Sequence, residues 1–330
     1  MLTVYLQFAL FSGLIIFFGY KLSVYGRDIS KQTFFSEALF GIIFLAVITS
    51  LPELIASISS AVMVDLPNMA ASDVLGSILI NLMIIGVLDF IQGKGGILSL
   101  SGRKHILTAS ITIGILAIIS LSLLLREIAG VHLGFFNIGY ESYLIIIIFI
   151  FSTRMLYQHG QEKNEEKSNG KKTIGRLWLK FGISAAIVVI SGLKIAECGA
   201  AIVENTPLSD NFVGLVFLAV VTSLPELIVS ITALRLGSVN MAIGNILGSN
   251  FFDTLIIPLT DICYRKDQIL SVIDLSHLFT LILCILFSAI IISGISYRSK
   301  KSFLKLGWDV IFMFIIFIVA VYFFYIIGCR

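Results

Sequence analysis

Apolar stretches long enough to cross a hydrocarbon core, at about 20 residues each, recur along the chain from Thr3 to Gly328. Lipid offers no water to backbone N–H and C=O groups, so each stretch is predicted to close its hydrogen bonds internally as a helix. Of the 330 residues 58% are hydrophobic and 13% charged, which excludes a soluble globular chain. Cutting at charges and Gly or Pro clusters predicts ten spans, at about 3–24, 34–63, 68–91, 105–125, 135–155, 177–203, 210–236, 239–262, 275–297 and 306–328. The expected fold is an all-α polytopic membrane protein, with no extramembrane domain of useful size.

Gln158–Lys172 is the one sizeable polar, low-complexity stretch. It lies in a flexible linker placed at 158–176, between five-span halves at 1–157 and 177–330. If loops alternate sides, 18 of the 23 Lys and Arg residues face one side. Arg126, Arg265, Lys266 and Arg330 face the other, and Lys194 lies inside a span. The richer side is expected to be cytoplasmic, with both termini outside, the linker inside and the cell membrane as the location. Met1–Leu10 lacks a basic start and a small-residue cleavage site, and is read as the opening of the first span. The net charge of +3 therefore speaks to orientation and not to a nucleic-acid partner.

Gly41–Ser59 (GIIFLAVITSLPELIASIS) and Gly214–Thr232 (GLVFLAVVTSLPELIVSIT) match at 14 of 19 positions with a constant offset of 173. The same offset pairs Gly19, Lys21 and Gly26 with Gly192, Lys194 and Gly199. After a one-residue slip, Asn68-Met69-Ala70 pairs with Asn240-Met241-Ala242, and Gly76-Ser77 with Gly248-Ser249. Five spans per half is an odd number, so the second half enters the membrane in the opposite sense: ten helices as two inverted five-helix repeats. Secondary transporters are built this way, with a midplane site on helices interrupted by Pro or Gly.

Pro52 and Pro225 each lack an N–H and displace the carbonyl four residues earlier, at Ile48 and Val221. Glu53 and Glu226 follow, each with a threonine four residues before it, Thr49 or Thr222, on the same helical face. Ser50 and Ser223 lie beside them. The third span of each half adds Ser77 with Asn81 and Ser249 with Asp253, again four apart. All are hard oxygen donors, the set suited to Ca2+ and acceptable to Na+, with no thiolate or imidazole for a softer metal. Three carboxylates in mid-membrane cost on the order of 8 to 10 kcal/mol on insertion scales, so an ion site explains them better than polar packing. Only Lys194 is cationic within a span, and Glu197 is its local partner.

The duplicated T-S-L-P-E-L, with G-S-I-L-I-N and G-S-N-F-F-D downstream, resembles the two alpha repeats of the cation/calcium exchanger superfamily, in particular its sodium/calcium exchanger branch. The resemblance covers the ten-span plan and is strongest over about 41–82 and 214–254. It implies that Glu53 and Glu226 are central ligands. Thr49, Ser50, Ser77, Asn81, Thr222, Ser223, Ser249 and Asp253 would complete four clustered cation sites, with the carbonyls of Ala46 and Ala219. It further implies alternating access, spans 1 and 6 sliding across the other helices. The chain departs from the family in carrying Ile48 and Val221 where Gly precedes Thr, Ser72-Asp73 for Gly-Asn or Gly-Asp, and Ile78 where Asn is common. Asp73 is either at the mouth of an ion pathway or a helix-end charge, the latter being favoured. Asn81 resembles the potassium-independent type.

The expected function is secondary antiport of Na+ against Ca2+, with the membrane as surroundings, no cofactor and no obligate protein partner. The alternative is a Ca2+/H+ or other divalent cation/H+ antiporter of the same fold, since three buried acids can carry protons. A cation channel is less suited, because a deep multidentate site retains ions. An intramembrane enzyme would not need symmetric acids, and the chain lacks H-E-x-x-H and a prenyl-transferase aspartate pair. His105, His132, His159 and His277 are read as boundary histidines. Cys198, Cys263, Cys284 and Cys329 are read as small hydrophobes, Gly93–Gly96 as a connecting turn, and Lys21 and Lys194 as snorkelling or bridging to backbone.

Overall fold

The computed structural model describes residues 1–93, 96–130, 133–160, 171–204, 219–298, 302–303 and 306–328. Among them eight helices are long and apolar enough to cross a membrane. They are α1 (Leu2–Gln32), the continuous helix Glu37–Val62, α4 (Pro67–Gln92), α6 (Lys104–Ala129), α7 (Tyr140–Gly160), α8 (Lys171–Glu204), α10 (Val239–Cys263) and α12 (His277–Tyr297). Glu37–Val62 comprises α2 (Glu37–Phe40), a π-helical turn (Gly41–Leu45) and α3 (Ala46–Val62). Shorter or less completely described helices are α5 (Ile97–Leu100), α9 (Leu224–Arg235), α11 (Ile269–Val272) and α13 (Trp308–Gly328).

Most spans lie close to their expected places. The seventh differs: 205–218 fall outside the described residues, 219–222 are helical, and the helix turns at Ser223 before α9. Pro225 lies in the first turn of α9, where its missing N–H interrupts no helical hydrogen bond. Pro52 by contrast is carried inside α3.

The described residues are nearly all helical, as expected, apart from two short hairpins. Strands β1 (Gly134–Phe135) and β2 (Ile138–Gly139), and β3 (Ser302–Phe303) and β4 (Leu306–Gly307), form antiparallel hairpins immediately before α7 and α13. Phe136 and Asn137 turn the first hairpin with φ of 52° and 60°, the twist that a two-residue connection needs. The fifth and tenth spans therefore begin later than 135 and 306. α7 reaches Gly160 and α8 starts at Lys171, and 161–170, inside the 158–176 linker, fall outside the described residues.

Polar groups at the helix ends recur at an offset of 172. Asp89, near the end of α4, accepts from the backbone N–H of Ile97 and from that of Gly307 at 2.7 Å. Asp261, near the end of α10, accepts from Ile269 N at 2.6 Å and from Gly139 N at 2.9 Å, with Ser142 Oγ at 2.6 Å. Asn240 Oδ1 accepts from Gly102 N, and Asn68 Oδ1 from Asp274 N, both at 2.7 Å. Arg126 donates to the carbonyls of Leu270 and Ile273, and Arg298 to that of Ser101. His105 and His277 stand at the starts of α6 and α12, both buried. Asp65, in the turn after α3, pairs at 2.8 Å with Lys266, which follows α10 and holds the carboxyl below the usual range, with help from the Tyr264 hydroxyl.

Asp261 satisfies three donors at once, so Asp261→Ala orphans two buried N–H groups and a hydroxyl, each worth about 1–3 kcal/mol. We expect the detergent-solubilised protein to lose its monodisperse size-exclusion peak at a markedly lower temperature. Ser142→Ala should lower it far less, and equal shifts would contradict this account of the helix ends.

Candidate functional site

Two proline-containing segments and the two helices that follow them, α4 and α10, supply the polar centre. Thr49, Ser50 and Glu53 on α3 are buried, and on the other segment so are Thr222, Ser223 and Glu226. The Thr49 hydroxyl reaches the carbonyls of Leu45 and Ala46 at 3.1 and 3.2 Å and lies 3.3 Å from Ser249 Oγ on α10. Thr222 repeats the arrangement, 3.2 Å from the Ala219 carbonyl and 3.4 Å from Ser77 Oγ on α4. Each half thus places its threonine against a serine of the other half.

The acids sit inside this frame. Glu226 Oε1 accepts from Ser50 at 3.2 Å and from Ser249 at 3.5 Å. Asn81 Nδ2 donates to Asp253 Oδ2 at 3.4 Å, joining α4 to α10. Glu53 is 1% exposed.

The remaining oxygens lack donors. Both carboxylate oxygens of Glu53, Glu226 Oε2, Asp253 Oδ1, Asn81 Oδ1 and Ser223 Oγ are buried with no hydrogen-bond partner. None of these acids forms an ion pair with a Lys or Arg among the described residues. No three Asp, Glu, His or Cys groups among the described residues converge closely enough to form a metal centre by themselves. The converging atoms are mixed hydroxyl, amide and carboxylate oxygens, a donor set for alkali and alkaline-earth ions.

All twelve sequence-derived candidates are buried. Direct contacts join Thr49 to Ser249, Ser77 to Thr222, Asn81 to Asp253, and Ser50 and Ser249 to Glu226. Ala46 and Ala219 enter through carbonyls that meet threonine hydroxyls, while Ser223 makes no side-chain bond. The sequence reading missed Asn245, whose amide donates to Ser230 Oγ at 3.0 Å and the Glu226 carbonyl at 3.5 Å and faces Thr49 Oγ1. It also misread Asp73, which is no helix-end charge: it lies on the second turn of α4, 7% exposed, with Ser57 Oγ 3.5 Å away. The signal was the repeat itself, which pairs Ser57 with Ser230 and Asp73 with Asn245.

Small residues bring the backbones together. A Cβ on Gly248 of α10 would come within 2.5 Å of Ile42 Cα and 2.6 Å of the Ile42 carbonyl, in the π-helical turn. A Cβ on Gly192 of α8 would come within 2.5 Å of the Pro52 ring. α8 therefore rests directly on the proline beside Glu53.

A model of the family described as sodium/calcium exchanger protein matches residues 3–158 and 176–326. An uncharacterized membrane protein of Methanocaldococcus jannaschii is 27% identical over 246 residues, 73% of this chain and 75% of that protein. The sodium/calcium exchanger MaX1 of Methanosarcina acetivorans is 33% identical over 129 residues, 39% of this chain and 33% of that protein. The solved sodium-calcium exchanger NCX_Mj shares the fold, with a TM-score of 0.73 at 18% identity over 96% of this chain and 97% of that one.

Gly248→Ala must push α10 off the Ile42 backbone and drag Ser249 from Thr49, a small-to-large change that typically costs about 1–3 kcal/mol. Gly114→Ala, in α6 with nothing within 4 Å, should be neutral or stabilising. Thermal unfolding of the two variants checks this, and equal melting temperatures would refute the close approach.

Proposed function

Because the chain belongs to the sodium/calcium exchanger protein family, we propose that it is a secondary antiporter exchanging Na+ for Ca2+ at the oxygen cluster around Glu53 and Glu226. The observation that carries this reading is the group of buried oxygens without donors, contributed by α3, α4, α10 and the Pro225 segment. Glu53, Glu226 and Asp253 bring three negative charges and Asn81 none. Several monovalent cations balance them, or one divalent ion with a proton or a residual charge. Na+ and Ca2+ compete for the same oxygens, so occupation by one displaces the other and couples the two gradients. Thr49, Ser50, Ser77, Thr222, Ser223 and Ser249 supply neutral ligands, and the carbonyls of Ala46 and Ala219 complete the set.

On this reading the chain crosses the membrane ten times, as inverted five-helix repeats at 1–157 and 177–330 joined by the 158–176 linker. The linker is cytoplasmic, both termini are outside, and the host is the cell membrane. Alternating access proceeds by α1 and α8 sliding over the other helices. Gly19 faces Ile228 and Val229, and Gly192 faces both proline rings, so each meets a largely apolar surface. Ser23 Oγ to the Val229 carbonyl at 2.9 Å and Arg27 to the Leu236 carbonyl at 3.2 Å hold α1 in the arrangement observed.

A Ca2+/H+ antiporter is the second reading, favoured by the same unpartnered carboxylates, which protons can also neutralise. Calcium uptake into proteoliposomes separates the two: an imposed Na+ gradient should drive it at constant pH, and a proton gradient alone should not. Glu53→Gln and Glu226→Gln should each abolish Na+-driven uptake while the purified variants remain monodisperse. Normal uptake in both would remove the assignment. Asn81→Asp adds a carboxylate opposite Asp253 and should shift the preference among Na+, K+ and Ca2+; an unchanged profile would count against Asn81 as a ligand.

A further inference from the structure

The two halves treat one pair of equivalent positions differently. In the second half Asn245 is satisfied: its amide nitrogen donates to Ser230 Oγ at 3.0 Å and to the Glu226 carbonyl at 3.5 Å, and its oxygen faces Thr49 Oγ1 at 3.5 Å. In the first half Asp73 takes that place beside Ser57, the counterpart of Ser230. A carboxylate brings no donor where the amide brings two. Asp73 is 7% exposed, its Oδ1 has no hydrogen-bond partner, and the hydroxyl near its Oδ2 is Ser57 at 3.5 Å, which also lies 3.4 Å from the Ala70 carbonyl. No Lys or Arg among the described residues forms an ion pair with it.

We infer that Asp73, Ser57 and the Ala70 carbonyl form an additional subsite for an alkali-metal ion, flanking the central cluster on the first half of the molecule alone. The chemistry selects the class of ion. One carboxylate, one hydroxyl and one carbonyl carry a single negative charge, which a monovalent cation neutralises. Ca2+ needs six to eight oxygens and more carboxylate than these groups supply. The inference rests on the cation-exchange reading of the central site, and it adds one Na+ to the ions the protein holds.

Equilibrium binding of radioactive Na+ to the purified full-length chain at fixed pH tests it, together with the Na+ dependence of Ca2+ release from proteoliposomes. Asp73→Asn installs the amide already accommodated at the equivalent position of α10, and should bind one Na+ fewer with a shallower Na+ dependence. Ser57→Ala keeps the charge, removes one ligand, and should weaken Na+ binding several-fold. Wild-type Na+ binding in both variants overturns the subsite. So does a change confined to the pH dependence of flux, which makes Asp73 a proton carrier instead. Should Asp73→Asn fail to fold, Ser57→Ala decides alone. Absence of Na+-driven Ca2+ flux in the wild type is a different result, and defeats the exchanger reading while leaving the Na+ count to be read by binding.

Discussion

Carboxylate oxygens held away from water and from every cationic side chain described set the terms for the rest of this molecule. An acid at the bilayer centre costs about 2.5–3.5 kcal/mol on insertion scales, and Glu53, Glu226, Asp253 and Asp73 are all buried. The protein offers them hydroxyls and one amide, donors that occupy single oxygens and leave the others open. A fully satisfied network would lock the centre shut. A partly satisfied one, kept dry by packed helices, needs something positive from outside, and in an exchanger that is the cargo.

Holding such a cluster together requires a frame that does not relax around it. Gly41, Gly244 and Gly248 let α10 lie against the backbone of α2 and the π-helical turn, where a single methyl group would collide with main-chain atoms. That contact keeps Ser249 opposite Thr49. α1 and α8 are held differently, through glycines facing aliphatic side chains and proline rings, with the Ser23 and Arg27 hydrogen bonds at one end of α1. Backbone-to-backbone contact fixes α10, whereas α1 and α8 meet their neighbours through side chains.

The halves agree most closely away from the centre. Asp89 and Asp261 fasten the helix-end turns with matching bonds, Asn68 and Asn240 do the same for the loops that follow, and Arg126 and Arg298 close the last carbonyls. They differ in the middle, where Asn81 faces Asp253 and Asp73 stands for Asn245. Scaffold requirements are the same in both copies, so the scaffold repeats. The centre need not repeat, because exchanging an amide for a carboxylate there changes its charge without altering the frame around it.

Hydropathy was sufficient to place the eight helices that, among the described residues, are long and apolar enough to cross a membrane, because in lipid the length and polarity of a segment decide its structure with little help from neighbours. The duplicated T-S-L-P-E-L was sufficient to nominate Glu53 and Glu226, because a carboxylate in an apolar run has few uses. The hairpins before α7 and α13 were not legible, since two-residue strands carry no periodicity and form only where Gly139 N and Gly307 N find Asp261 and Asp89. Nor was the unequal fate of the prolines, Pro52 carried within α3 and Pro225 placed after a turn at Ser223, which local rules treat alike. Tertiary packing alone decided that Asp73 is buried beside Ser57 while Asn245 is bonded on every side. The spacing of residues along a helix shows which face they share, and only the neighbouring helices determine what that face meets.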